Sequence, residues 1–145
     1  MAVPTKPKVG EIVEHFFLWA DQQAEGQIEG RKARPCIIIA VEEQGRTEAR
    51  VTLVPITSSA PRPKRSAVAV PNNIKASLGL DITRPAWVIV DEVNVFAWPG
   101  FDLVPQLRGG FVRGMVTIGF FERLRDAVLE VHARGRLRTV DRDDV

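Results

Sequence analysis

Three short clusters of basic residues are the part of this sequence whose chemistry is easiest to interpret. They contain Arg31, Lys32 and Arg34; Arg62, Lys64 and Arg65; and Arg134, Arg136, Arg138 and Arg142. Because the net charge of the whole chain is only +2, positive charge is concentrated in these places. Clusters of this kind suit a partner that carries phosphate groups. Solvated loops are the alternative, and any one cluster taken alone favours that alternative.

The cysteine and histidine residues suggest neither a disulfide nor a metal site. Cys36 is the single cysteine and lies in an apolar run, which favours a buried packing role over a nucleophilic one. His15 and His132 are far apart in the sequence, and no Cys/His cluster has the spacing of metal ligands. We therefore predict that the protein uses no metal and no cofactor.

Length and composition are those of one globular domain. The chain has 145 residues, of which 45% are hydrophobic and 26% charged. The N-terminus lacks the apolar core of a signal peptide, and no apolar run approaches the roughly 20 residues that span a bilayer. We predict a cytoplasmic protein without membrane contact. Its parts would be a flexible segment at 1–9, a single domain at 10–135 and a frayed tail at 136–145.

Apolar and β-branched runs predict about five strands. The predicted strands are Glu11–Trp19, Pro35–Val41, Ala49–Ile56, Ala67–Val70 and Ala86–Val95, the last that the pattern clearly indicates. A long polar loop at 20–33 separates the first two strands, and a hairpin turn at 42–47 separates the next two. One helical turn is predicted near Ile74–Leu78, whereas Phe101–Gly114 is ambiguous.

Apolar residues recur at helical spacing in Gly119–Ala133. Thr117 is suited to cap this helix, and Gly135 is suited to end it. Short connections between consecutive strands favour antiparallel pairing. The predicted fold class is therefore mainly β with a C-terminal helix, in the form of a small barrel whose sheet packs against the helix.

Three sequence motifs follow one another between residues 10 and 58. They are Gly10-Glu11-Ile12-Val13, then Gly30-Arg31-Lys32-Ala33-Arg34-Pro35 before the apolar Cys36–Ala40, then Val54-Pro55-Ile56-Thr57-Ser58. Weaker similarities lie at Leu78-Gly79-Leu80 and Val88-Ile89-Val90-Asp91-Glu92. Together these motifs resemble the MazF/PemK family of toxin endoribonucleases.

The resemblance implies an SH3-like β-barrel of the CcdB/PemK/MazF type that forms a homodimer. It implies a toxin of a type II toxin–antitoxin system, which a cognate antitoxin protein holds inactive. The activity implied is sequence-selective, metal-independent cleavage of single-stranded RNA. In that reaction the 2′-hydroxyl attacks the adjacent phosphorus and leaves a 2′,3′-cyclic phosphate. The reaction needs a proton acceptor, a proton donor and stabilisation of charge on the phosphate oxygens.

The resemblance assigns the catalytic roles to Arg34 and Thr57. Arg34 stands just before the proline that opens the second strand, and its guanidinium is suited to a bidentate grip on phosphate oxygens. Thr57 is suited to donate a hydrogen bond to a non-bridging phosphate oxygen. The alternatives are a surface arginine beside a strand and a hydroxyl that caps the turn after a strand.

Other residues are candidates for supporting roles. Ser58 and Glu29 are candidates for catalytic support, and Glu25 is a second carboxylate of the same polar loop. The residues predicted to hold flanking phosphates of the RNA are Arg31, Lys32, Arg62, Lys64 and Arg65. Trp98 would stack on an RNA base or, alternatively, pack in the core. Apolar surface near Phe96–Phe101 is a candidate dimer interface.

The sequence departs from the family where the general base is expected. Some members use a histidine in the first long loop or an aspartate shortly after the last strand. This chain has no histidine between Ala20 and Pro35, and Asn94–Trp98 stands where the family often has an arginine-rich stretch. The alternative function is therefore a non-catalytic barrel that binds a protein target, as the CcdB gyrase poisons do, or nucleic acid.

Overall fold

The computed structural model describes residues 6–27, 30, 32–43, 45, 48–100, 102–107 and 109–143. Within these ranges the chain forms eight strands and three helices. In chain order they are β1 (Glu11–Phe16), α1 (Ala20–Ala24), β2 (Ala33–Glu43), β3 (Ala49–Thr57), β4 (Ala67–Ala69), α2 (Asn72–Ser77), β5 (Trp87–Ile89), β6 (Glu92–Ala97), β7 (Val112–Met115), α3 (Ile118–Ala133) and β8 (Arg138–Asp141). The predicted class, mainly β with a C-terminal helix, is confirmed.

The sheet is organised around β3, which has partners on both of its edges. One edge of β3 pairs with β2, which pairs with β1, which in turn pairs with β7. The other edge pairs with β6 along the first part of β3 and with β5 at its end, and β5 also pairs with β4. All these pairs are antiparallel, as the short connections predict. Among the described residues, no pairing joins β4 to β7, so the recorded pairs do not form a closed ring.

Both faces of the sheet are buried, which explains the continuous apolar run in β2. Ile37 belongs to one apolar cluster, where Phe120 and Leu124 of α3 pack against the sheet. Cys36 and Ile38 belong to a second cluster on the other face. Successive side chains of a strand point to opposite faces, so a strand buried on both faces is apolar at every position. Cys36 is fully buried and burial raises the pKa of its thiol, which confirms the packing role.

Helix α3 has the predicted cap and stop. The Thr117 hydroxyl oxygen accepts a hydrogen bond from the Phe120 N–H at 3.2 Å. Gly135 follows the helix with a φ of +69°, a backbone conformation that favours glycine. None of the helices in the described ranges combines the length and the apolar character needed to cross a membrane.

Several element boundaries differ from the prediction. The first strand ends at Phe16, because the Phe17 N–H donates to the His15 carbonyl in a tight turn. The predicted loop at 20–33 contains the short helix α1. The predicted strand Ala86–Val95 is two strands, β5 and β6, and two further strands, β7 and β8, follow it. These errors share one cause: turns made by specific hydrogen bonds leave little trace in hydrophobic periodicity.

The prediction of a frayed tail at 136–145 is wrong for the described part of that segment. Residues 138–141 form β8, which pairs in parallel with β6. Arg142 follows β8 and is buried, with its guanidinium on the Asp102 carboxylate and on the Phe16 carbonyl oxygen at 2.8 Å. The sequence of the tail is polar, but its key arginine has partners distant in sequence. At the other end, the predicted flexible segment 1–9 falls mainly outside the described residues.

A buried polar network joins this tail to β1 and β6. The Asn94 side chain accepts from the Leu18 N–H at 2.9 Å and donates to the Leu18 carbonyl at 2.7 Å. The His15 Nε2 lies 3.2 Å from Asn94 Oδ1, and its ring stacks on Phe96 at 5.0 Å between centroids. The Arg142 Nη1 is 3.4 Å from the same Asn94 oxygen. His15 is therefore a buried packing residue that also belongs to the polar network.

The surface near Phe96–Phe101 does not match the predicted apolar interface. Phe96 is only 1% exposed, as part of the second core cluster. Trp98 packs edge-on against Phe111 at 5.9 Å between ring centroids. Phe101 lies outside the described residues. The homodimer remains a prediction, and Phe96 is too deeply buried to form part of its interface.

Replacing Arg142 by methionine should strongly destabilise the protein. The side chains of Arg142 and Asp102 are 3% and 11% exposed, so the change removes one charge of a buried ion pair. Removing one partner of a buried pair costs about 3–5 kcal/mol of unfolding free energy, which urea denaturation would measure. Arg134→Met is the control, because Arg134 pairs with Glu130 in solvent and should contribute at most about 0.5 kcal/mol. Equal stabilities of the two variants would contradict the anchoring role of Arg142.

Acid should weaken the fold through His15. Burial, with a smaller effect from Arg142, lowers the pKa of His15 from 6.5 to about 4 although Asn94 opposes the shift. Between these pH values the unfolded chain binds a proton that the folded chain does not, so stability falls as pH falls. The loss should approach 3 kcal/mol, since one pKa unit corresponds to about 1.4 kcal/mol.

Urea denaturation of wild type and His15→Gln at pH 7 and pH 4.5 would measure this effect. The variant should lack most of the acid-dependent loss, whereas His132→Gln, which changes an exposed histidine, should retain it. The same pH dependence in wild type and His15→Gln would show that other groups cause it.

Candidate functional site

The pairing of β2 with β3 brings the two predicted catalytic residues together. Cys36 lies opposite Pro55 in this pair. Continuing this register by two residues past the Cys36–Pro55 pair, back along β2 and forward along β3, puts Arg34 opposite Thr57. Side chains two positions apart share a face of the sheet, so both lie on one side. Arg34 and Thr57 accordingly line one cavity of about 440 Å³.

Arg34 has the environment of an anion-binding side chain. Its guanidinium lies 5.4 Å from the centre of the Trp19 ring, within the range of a cation–π contact. Its Nε is buried and has no hydrogen-bond partner among the described residues. Burial lowers the pKa of Arg34, yet an arginine stays charged at neutral pH. No described carboxylate pairs with Arg34, so its charge is available to a ligand.

Thr57 caps the turn that follows its strand. Its hydroxyl oxygen accepts a hydrogen bond from the Ser59 N–H at 3.1 Å. The local capping role that the sequence left as an alternative is therefore present. A hydroxyl that accepts one hydrogen bond still has a proton to donate, so the cap orients Thr57 without preventing a contact to a ligand oxygen.

Trp19 lies next to Arg34 because two residues of β6 fix the chain on either side of it. The Asn94 side chain holds Leu18, and the Glu92 carboxylate accepts from the Ala20 N–H at 2.7 Å. Sequence reasoning missed Trp19, because its position depends on these two residues of β6. A tryptophan beside the polar loop was the one hint in the sequence. The chain has three tryptophans, however, and no local feature shows which of them lies at the cavity.

A second cavity of about 700 Å³ adjoins the first and shares Trp19, Thr57 and Ser59 with it. Its wall includes Arg62 and Lys64 of the second basic cluster. It also includes Arg138, which β8 contributes from the opposite end of the chain. The two cavities thus form one groove with cationic residues on both sides of Trp19.

Comparison with protein families matches residues 8–97 to the PemK-like, MazF-like toxins of type II toxin–antitoxin systems. That match covers more than half of the chain. The chain belongs to this family. A toxin of such a system acts with an antitoxin partner. Searches of curated proteins and of solved structures each gave no match.

The remaining predicted site residues of this PemK-like toxin fall into separate places. Lys32 and Ser58 line the Arg34 cavity, together with Arg84, which the sequence did not single out. Glu25 is exposed at the end of α1 and lines neither cavity. Arg31 and Glu29 lie outside the described residues. Trp98 packs on the second core cluster, so the geometry favours its packing role over base stacking.

Arg65 is the predicted RNA contact that does not fit the geometry. Its guanidinium pairs with Asp91 at 2.7 Å and with Glu92 at 2.6 Å. Burial opposes the charge of Arg65, but these two carboxylates outweigh it and raise the pKa. The charge is thus already balanced inside the protein, and Arg65 acts as a structural link between the β4 side and β6.

Asp81 is the carboxylate among the described lining residues of the Arg34 cavity. Hydrogen bonds from the Thr83 hydroxyl and N–H lower the pKa of Asp81, so it is ionised at neutral pH. No described histidine lines either cavity. In the described part of the toxin, no three His, Cys, Asp or Glu side chains form a group that could hold a metal ion.

The structural role of Arg65 predicts a stability loss that a surface cation would not cause. Arg65→Met leaves Glu92, whose side chain is 2% exposed, without its counter-charge. The unfolding free energy should fall by about 3–5 kcal/mol in urea denaturation. Arg62→Met, on an exposed residue of the same loop, should change it by no more than about 0.5 kcal/mol. An Arg65→Met protein as stable as Arg62→Met would instead return Arg65 to the candidates for RNA binding.

Proposed function

We propose that this PemK-like toxin is a metal-independent endoribonuclease that cleaves single-stranded RNA at selected sequences. The observation that supports this most directly is the meeting of Arg34 and Thr57 in one cavity, across the register of β2 and β3. The cavity joins a charged guanidinium without a described carboxylate partner to an oriented hydroxyl. That pair has the chemistry needed to hold and polarise a phosphodiester.

In the proposed reaction the RNA supplies its own nucleophile. The 2′-hydroxyl loses its proton to the general base, and the 2′-oxygen bonds to the adjacent phosphorus. The bond to the 5′-oxygen breaks, that oxygen leaves as a hydroxyl with a proton from solvent water, and a 2′,3′-cyclic phosphate remains. Arg34 stabilises the negative charge that builds up on the non-bridging oxygens, and Thr57 donates a hydrogen bond to one of them. Trp19 positions the guanidinium through the cation–π contact. Ser58 remains a candidate for catalytic support, since it lines the same cavity.

We assign the proton acceptor to Asp81. It is ionised at neutral pH, as a general base must be, and it lines the cavity that holds Arg34. Because its pKa is lowered, Asp81 is a weak base, so we expect it to remove the proton of the 2′-hydroxyl slowly. Glu29 lies outside the described residues and stays a candidate from the sequence alone.

The cations around the two cavities suit an RNA backbone. Lys32 and Arg84 flank Arg34, while Arg62 and Lys64 lie beyond Trp19. Within the described residues none of these four makes an ion pair, so each is open to a phosphate. We further propose that the toxin is a cytoplasmic homodimer, and that an acidic segment of its antitoxin covers this groove and competes with phosphate.

A non-catalytic role is the second candidate. The observation in its favour is the lack of a histidine among the described residues that line the cavities. In that case the same groove would bind a protein target or nucleic acid without cutting it.

Cleavage of a long single-stranded RNA in the presence of EDTA tests the proposal. Wild type freed of antitoxin should cut and leave 2′,3′-cyclic phosphate ends. Arg34→Ala should lose about 10²–10³ in kcat, because it removes the main charge on the transition state. Thr57→Ala should lose less, since a neutral donor contributes less than a charged one. Asp81→Asn should lose about 10² or more if it is the base.

Arg113→Ala is the matched control for the arginine change. Arg113 lies on β7, pairs with Glu14, and lines neither cavity, so cleavage should be unaffected. If wild type cuts no RNA over varied sequences, the endoribonuclease proposal is wrong and the non-catalytic binding role is the remaining candidate. Cleavage that survives Arg34→Ala would place the active site elsewhere.

A further inference from the structure

The second cavity carries more positive than negative groups. Its described lining includes four arginine or lysine residues and two carboxylates. Glu92 is already engaged with Arg65, which leaves three cations facing a single carboxylate, that of Asp21. Such an excess of cations at the wall of a groove attracts an anion.

We propose that this cavity is a second phosphate-binding subsite, in which Arg138 of β8 holds an RNA phosphodiester next to the one cleaved. The proposal rests on the proposed function and adds a contact that lies outside the family-matched residues 8–97. In the absence of RNA, the Asp21 carboxylate forms an ion pair with the Arg138 guanidinium. An incoming phosphate displaces the Asp21 carboxylate and takes its place on the guanidinium.

The backbone of Arg138 is firmly held, whereas the ion-pair partner of its side chain is easily exchanged. Arg138 pairs with Glu92 in the parallel β6–β8 ladder, and its N–H donates to the Asp91 carbonyl at 3.0 Å. Its Nη2 lies 2.9 Å from Asp21 Oδ1, but the two side chains are 49% and 74% exposed. An ion pair this exposed is weak, so a phosphate can replace the carboxylate at little cost. The guanidinium can then bind the phosphate through two of its N–H groups.

The subsite is continuous with the reaction centre. Trp19, Thr57 and Ser59 line both cavities, so a strand bound at Arg34 reaches Arg138 without leaving the groove. Arg62 and Lys64, on the facing loop, provide the other cationic wall. A bound RNA therefore meets cations on both sides of the scissile phosphate.

Two substitutions with opposite expected signs test the exchange. The probe is a single-stranded RNA pool of random sequence whose 2′-hydroxyls are all methylated, so that it binds without being cut. Arg138→Gln should weaken binding roughly three- to tenfold near 0.1 M salt and reduce the slope of log affinity against log salt by about 0.7. Asp21→Asn should tighten binding several-fold, because it frees Arg138 and removes a negative charge. Arg138→Lys should restore most of the slope.

The pair Arg125–Asp126 on α3 provides matched controls. Its side chains are 45% and 69% exposed, close to those of Arg138 and Asp21, and it lines neither cavity. Arg125→Gln and Asp126→Asn should leave affinity and salt slope nearly unchanged, and thermal unfolding would show that all variants are folded.

The outcomes separate this inference from the nuclease itself. Opposite shifts for Arg138→Gln and Asp21→Asn, larger than those of the controls, support the subsite. Wild type that cleaves RNA while both groove variants bind like wild type overturns the subsite alone. Wild type that neither binds nor cleaves RNA overturns both proposals.

Discussion

The double hydrogen bond between the Asn94 side chain and the Leu18 backbone is the constraint on which the site depends. It is fully buried, and it fixes the chain where β1 ends and α1 begins. A buried amide without partners is costly, so this geometry is strongly preferred over alternatives. His15 and Arg142 contact the same amide oxygen and join β1 and the residues after β8 to one point. Because Leu18 is fixed, the next residue, Trp19, is placed where its ring contacts the Arg34 guanidinium.

Buried carboxylates divide the basic residues into structural and available ones. Asp91 and Glu92 form ion pairs with Arg65, and Asp102 forms one with Arg142. What remains around the groove is a set of cations that either lack an ion pair among the described residues or, like Arg138, have only an exposed one. The electrostatic character of the groove is therefore set by which arginines the interior has already neutralised, not by the number of arginines in each cluster.

The segment beyond the family match also contributes to the groove. Helix α3 covers one face of the sheet, and β8 extends the β3–β6 side in parallel. Because β8 pairs with β6 beside Glu92, it places Arg138 at the wall of the second cavity. The same core that holds the toxin together thus positions a cation from its last described strand next to α1.

Local patterns in the sequence were enough for the fold class, for most strands, for α3 with its cap and stop, and for the motifs that contain Arg34 and Thr57. Such features depend on neighbours within a few residues, so periodicity and turn chemistry report them. The pairing of Arg65 with Asp91, the burial of Arg142, the strand β8 and the place of Trp19 could not be predicted in this way. Each depends on a partner from 26 to 127 positions away or on a packed neighbour. Only the folded chain brings those partners within hydrogen-bond distance, and burial then determines which charges stay available to a ligand.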